Sequence, residues 1–360
     1  MKALFYEGRV EILKIISATL SIGTIVLLSQ FLGNKYLVSY VVIQTLLVVF
    51  ASVTDFGLNV TNKNVDIPYN SFRTTKVPTY LFVIASLSYL GVTYFWFIND
   101  ISNFAILLMP ISIISSIYNL RWLTVKRRNG EVFLSVLYGE FSLSVLRLIS
   151  VVVGLLIGYV SFEVSLLFFP ILVSVYLSRF KSVDGLKLIH PVYLSFYSEK
   201  FDIFAYILSV FIAIKNQILS LFIPTVNESS KSYVIMVSRI YGAIVILMSG
   251  LIARVPYSIR IAKIDKDFKK LKIIISLIVF SFISISLLYP FYIGLISNIF
   301  NVGYPFDFST ERQIFFILIV FGIVQSSLIV SLQALNKNKI AILFDVIYLL
   351  VVVSFMAKIR

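Results

Sequence analysis

The sequence predicts an all-α, polytopic membrane protein, and three observations carry that reading. Apolar residues make up 59% of the chain and charged residues only 13%, a balance that no soluble domain of this length can hide from water. The apolar residues fall in repeated runs close to the roughly 20 that a helix needs to cross a bilayer core. Lys and Arg are concentrated in alternate breaks between those runs, as expected where cytoplasmic loops hold the basic residues.

The first run, 12–32, is too long for the apolar core of a secretory signal and has no small-residue cleavage site, so it reads as a spanning helix. Ten more follow, at 36–54, 77–98, 101–120, 132–158, 161–178, 203–224, 232–253, 273–297, 313–333 and 340–357. With the N-terminus inside, only Lys35, Lys231, Arg312, Lys358 and Arg360 fall outside, and Arg147, Lys215 and Arg239 lie within spans. The others of the 31 Lys and Arg fall inside. The expectation is therefore about eleven helices, N-in and C-out. The second helix ends in "SVTDFGLN", Ser52–Asn59. Gly57 stops the helix and Asp55 is expected to stay wet at the cytoplasmic face.

External connections are short, so chemistry or recognition must occur within the helices or at their rims. The longest internal connection, "RFKSVDGLKLIHPVYLSFYSEKFD", follows the sixth helix. It divides the chain into an N-terminal lobe of six helices (1–180), a cytoplasmic connecting loop (181–202) and a C-terminal lobe of five (203–360).

The chain has no cysteine and one histidine, His190. Disulfides, thiol catalysis, thiolate metal sites and multi-histidine metal sites are thereby excluded, and neither a metal nor a cofactor is expected. The net charge of +14 suggests a nucleic-acid partner at first sight. The cations sit in short juxtamembrane loops, however, where orientation and anionic headgroups account for them. The richest stretch, "RVPYSIRIAKIDKDFKKLK" from Arg254 to Lys272, spaces apolar residues among cations like a basic helix lying in the membrane interface.

Ionisable residues within the spans are Glu140, Arg147, Lys215, Arg239 and Asp345. Each costs about 2.5–3.5 kcal/mol at mid-membrane on insertion scales and so belongs in a bundle interior or a watery cavity. Glu140 and Arg147 lie two turns apart on one face of the fifth helix. Lys215, in "IKNQ", has no acid nearby in sequence. A cavity lined by Lys215, Arg239 and Arg147 would attract a diphosphate or an acidic sugar, Arg donating in pairs and Lys acting as a point charge. Glu140 and Asp345 read either as ion-coupling residues or as members of structural pairs. Gln30, Gln44, Gln325 and Gln333 suit sugar hydroxyls and helix–helix hydrogen bonds alike.

The chain also echoes itself. "LLSQFLGNKYLVSYVVIQTLLVVFASVTDFGLN" matches "ILSLFIPTVNESSKSYVIMVSRIYGAIVILMSGLIARVP" in outline, and "LRWLTVKRRNGEVFLSVLYGE" matches "LQALNKNKIAILFDVIYLL" in the same order, as two six-helix halves of like orientation would. In "QFLGNKY", "TDFGLN", "VSRIYGAI", "NIFNVGY" and "LQALNKNK" the chain resembles the Wzx-type O-antigen flippases of the multidrug/oligosaccharidyl-lipid/polysaccharide exporter superfamily. That family usually has twelve or more helices, and here the counterpart of the sixth is missing from the second half, so the chain is either naturally short or truncated. The resemblance implies a non-enzymatic transporter of the bacterial inner membrane. Its substrate would be an undecaprenyl-pyrophosphate-linked oligosaccharide, with membrane lipids and other polysaccharide-assembly membrane proteins as further partners. By resemblance, Asp55 and Gly57 mark a pivot or gate between the second and third helices. The alternative is an O-antigen polymerase, which is also apolar and many-helixed; such enzymes carry a large basic external loop that this chain lacks.

Overall fold

The structure, a computed structural model, describes residues 2–68, 71–179, 192–195, 201–221, 235, 251–266, 268–269, 271–280, 283–284 and 322–356. It is mostly helical. Among the described residues six helices are long and apolar enough to cross a membrane, Arg9–Leu32, Lys35–Thr54, Thr79–Trp96, Asn103–Arg128, Val132–Ile157 and Tyr159–Leu177, and they coincide with the first six runs read from the sequence. We label the N-terminal elements α1 (Lys2–Leu27), α2 (Asn34–Thr54), α3 (Leu58–Thr61), α4 (Thr79–Gly91), α5 (Asn103–Arg128), α6 (Val132–Ser135), α7 (Ser142–Ile157) and α8 (Tyr159–Leu177). π-helical turns extend α1 over Leu28–Leu32 and α4 over Val92–Trp96, and join α6 to α7 over Val136–Phe141. Further along, helices cover Ile203–Leu221, 251–265, 271–280, Gly322–Ala334 and Asn338–Met356. The expected helix at 232–253, and with it Arg239, lies almost wholly outside the described residues.

Helix ends differ from the apolar runs for a physical reason. Hydropathy marks the part of a helix that meets lipid, whereas the helix itself stops only where the backbone is told to. α1 starts ten residues before its apolar run, and α5 runs eight residues beyond, to Arg128. At that end Gly130 takes φ +85°, the Gly130 N–H donates to Arg127 O at 3.1 Å and the Glu131 N–H to Lys126 O at 2.9 Å. This is the paired closure of a Schellman motif, with Lys126, Arg127 and Arg128 complementing the helix dipole.

α2 is the central helix: 78% of its span is buried, against 17% for the span that contains α4. α5 packs on α8 through small polar residues. Ser112 Oγ donates to Leu167 O at 2.6 Å, Asn119 Nδ2 to Pro170 O at 3.2 Å and Ser174 Oγ to Ser115 O at 2.9 Å, the kind of hydrogen bond that joins helices in lipid. At the expected outer end, the buried Glu163 accepts from Ser39 Oγ at 3.0 Å and from the Ser102 N–H at 3.1 Å. One carboxylate thus ties α2, the turn before α5, and α8.

α2 also packs along the Ile203–Leu221 helix, which in turn packs on Asn338–Met356. Thr45 Oγ1 donates to Gln217 Oε1 at 3.2 Å and Ser209 Oγ to Ser52 O at 3.2 Å across this seam. Among the described residues one pair of strands interrupts the helical plan. Thr75–Pro78 (β1) runs parallel to Val192–Ser195 (β2), Thr75 opposite Val192 and Pro78 opposite Ser195. The second strand belongs to the segment read as the connecting loop, and these four residues are pinned to those just before α4. Four-residue strands with partners more than a hundred positions away leave no periodicity to read.

Candidate functional site

The site grows from the junction of α2 and α3. After Thr54 the chain turns through Phe56 (φ +52°) and Gly57 (φ +76°), both in the left-handed region. At Gly57 a side chain is excluded twice over, because a Cβ would lie 2.5 Å from Tyr206 N and 2.6 Å from Ala205 C. The turn seats directly against the backbone of the Ile203–Leu221 helix. Asp55 is not wet, contrary to expectation: it is fully buried. Its Oδ1 accepts from Arg121 Nε at 2.7 Å and its Oδ2 from the Asn59 N–H at 2.6 Å. The extra two turns of α5 deliver the arginine that makes this burial tolerable.

Beyond the turn the same face of α5 continues to supply polar groups. Thr124 donates to Asn59 Oδ1. Arg128 wraps the following loop, donating to Asn62 O at 2.8 Å and Ser71 O at 2.6 Å. Arg127 pairs with Glu140 Oε1 at 2.8 Å, and Lys14, wholly buried in α1, closes on the other oxygen of Glu140.

Of these groups, Asn59, Thr124, Arg127 and Arg128 border a cavity of about 410 Å³ that reaches from α2, α5, α7 and α8 to the Ile203–Leu221 and 251–265 helices. Among the described residues its polar wall comprises Gln44, Ser52, Asn59, Lys63, Ser116, Asn119, Thr124, Arg127, Arg128, Arg147 and Asn216, with no acid. Lys63 sits beyond the end of α3, donating to Gln333 Oε1 at 3.0 Å. Burial first, and then the Arg127 charge, bring its pKa from 10.5 down to about 8, with Asp55 opposing. Arg147 differs from the other cations. It is half-buried on the cavity wall, and its guanidinium has no hydrogen-bond or ion-pair partner among the described residues.

The expected site residues thus separate. Arg147 lines the cavity. Lys215 does not: its Nζ donates to Asp345 Oδ1 at 3.0 Å, both groups are buried, and Gln325 Nε2 donates to the same oxygen at 2.6 Å. Adjacent helical residues point about 100° apart, so Asn216 faces the cavity while Lys215 faces Asp345. Glu140 meets Lys14 and Arg127 rather than Arg147. Gln44 lines the cavity, Gln333 holds Lys63, and Gln30 is exposed at the end of α1. Lys63, Arg127 and Arg128 were read only as orienting loop charges. The missed signal was the spacing of Arg121, Thr124 and Arg128, three and four apart, which places all three on one face of a helix continued past its apolar run.

A preformed, mixed-polarity cavity of this volume lies within the usual range for ligand pockets. Its four cations suit an anion, and its amides and hydroxyls suit a polyhydroxyl compound. Among the described residues no group of three or more His, Cys, Asp or Glu can hold a metal ion. No protein-family model, no curated protein and no solved structure matches this chain.

Proposed function

We propose that this protein is a flippase that moves a lipid-linked oligosaccharide, with an undecaprenyl-pyrophosphate carrier, from the cytoplasmic to the outer leaflet of a bacterial inner membrane. The observation that carries the reading is Arg147: a cation within a spanning helix, on the wall of a cavity to which the described residues contribute no acid, and with no protein partner among them. An intramembrane charge is costly and is ordinarily paired. One that is left unpaired on a cavity wall is placed for an anion from outside, and a guanidinium gives a diphosphate two parallel hydrogen bonds.

In this reading Arg127, Arg128 and Lys63 form the cytoplasmic approach and Arg147 the deeper station. The amides of Gln44, Asn119 and Asn216 meet sugar hydroxyls. The N-terminal and C-terminal helices are two lobes that rock about the α2 seam, and no covalent bond changes. The rocking must break the clasp in which Lys63 holds Gln333, the Val65 N–H donates to Ala334 O at 3.3 Å and Lys263 meets Asp66 at 2.6 Å.

The test is the sidedness of the lipid-linked glycan that accumulates in cells lacking the protein. Single repeat units held on the cytoplasmic leaflet support a flippase. Single units that reach the outer leaflet but are never joined into chains refute it in favour of a polymerase.

A further inference from the structure

A second hollow lies on the opposite side of α7 from the cavity, facing lipid rather than the seam. It is a groove of about 330 Å³ between the π-helical turn with α7 on one side and α8 on the other, walled by Tyr138, Phe141, Val145 and Leu146 and by Leu172 and Tyr176. The π turn over Val136–Phe141 accommodates one extra residue per turn, and such bulges cluster at functional positions. Here it lets Glu140 reach Lys14 and Arg127 while Tyr138 and Phe141 line the groove. Gly139 permits this, since a Cβ there would meet Leu123 Cδ2 at 2.5 Å.

The groove is graded in polarity along its length. At one end the Tyr138 and Tyr176 rings meet, with centroids 5.3 Å apart. Tyr176 is one residue from the end of its span and Tyr138 six from the start of its own, so both lie near the same, cytoplasmic, interface. Leu146 is eight residues further along, roughly 12 Å deeper at the α-helical rise. One turn past Tyr176 stands Arg179, exposed and with no side-chain partner among the described residues. A cation and two hydroxyls at the interface, above an apolar slot running into the leaflet, match one chemistry: a phosphate headgroup with a hydrocarbon chain. The lipid-facing side of α4 offers a contrast, since Phe82, Val83, Ile84 and Leu87 stand out into lipid there.

We infer that the α7–α8 groove is a specific site for an anionic phospholipid of the cytoplasmic leaflet, its phosphate at Arg179 and the tyrosine hydroxyls and one acyl chain along Val145, Leu146 and Leu172. This holds whatever the central cavity carries.

The chain has two tryptophans, and the buried Trp122 lies behind the groove, its ring centroid 6.3 Å from that of Tyr138. With Trp96→Phe, the full-length protein in vesicles therefore carries its own reporter. Quenching of Trp122 is measured with brominated-chain phosphatidylglycerol and with brominated-chain phosphatidylcholine, each as a minor component. The site predicts about fivefold preference for the anionic lipid, which is what one basic side chain near a bilayer surface confers. Arg179→Ala should bring the two lipids level. Val145→Phe, which fills the slot, should weaken quenching by both in protein that remains monodisperse. Equal quenching by the two lipids in the parent protein means ordinary annular contact and overturns the inference, as does an anionic preference that survives both substitutions.

Discussion

Lys215 and Asp345 form an ion pair sealed inside the protein, Nζ to Oδ1 at 3.0 Å, with the residues 2% and 0% exposed. The pair joins the Ile203–Leu221 helix to Asn338–Met356 and borrows a third member, Gln325, from the helix before it. A cation so placed is a tie between helices and is spent before any substrate arrives.

The tie makes a prediction opposite in kind to a binding role. Lys215→Met leaves a buried carboxylate uncompensated and should cost about 3–5 kcal/mol, whereas Lys215→Met with Asp345→Leu should recover most of that loss. Thermal unfolding of the detergent-solubilised protein reads both. If Lys215→Met alone unfolds like the parent, the pair does not hold the helices together.

Arg147 should behave in the reverse way. Its truncation orphans no acid, so Arg147→Ala should leave stability within about 0.5 kcal/mol of the parent while abolishing translocation of the lipid-linked glycan. Arg147→Lys keeps the charge but loses the paired donors and should retain only a fraction of the activity. Full activity in Arg147→Ala protein would remove the observation on which the flippase reading stands.

Gly57 and Gly33 differ in what a side chain would meet. Both have positive φ, +76° and +83°, yet a Cβ at Gly33 meets nothing within 4 Å while one at Gly57 would overlap the Tyr206 and Ala205 backbone. Gly33→Ala should cost about 1–3 kcal/mol from backbone conformation alone, since φ +83° with ψ 175° is a region that essentially only glycine adopts. Gly57→Ala combines about 1–2 kcal/mol of left-handed strain with about 1–3 kcal/mol for forcing apart packed backbone, seen as a lower unfolding temperature than that of Gly33→Ala. Equal effects would mean that the α2–α3 turn does not seat on the neighbouring helix.

The sequence located the first six spans, five of them to within three residues and the fourth short by eight at its C-terminal end, because apolar length is a strong signal and the bilayer fixes the scale. The site was legible only where the deciding quantity was also local. Arg147 stood out as a charge in an apolar run, and Gly57 as a stop. Asp55 and Lys215 were misread because their partners, Arg121 and Asp345, come from other helices, and no spacing along the chain encodes which helices meet. Lys63, Arg127 and Arg128 were hidden by a rule that explains loop cations well enough to discourage a second use.

Lys63 supplies a prediction in pH. Burial and Arg127 hold its folded pKa at about 8, against 10.5 for the free side chain, so between those values the folded protein binds fewer protons than the unfolded. Stability must therefore rise with pH across that window, and the penalty is fully present below about pH 8. Lys63→Met should flatten this rise, at the expense of the hydrogen bond to Gln333. Capture of an anion needs the protonated form, so translocation assayed in vesicles should decline as pH passes 8 rather than 10. Lys63→Arg, which stays charged throughout, should hold the rate level over the same interval. A parent protein whose rate is flat through pH 8, or an arginine variant that declines with it, would show that Lys63 takes no part in drawing the substrate in.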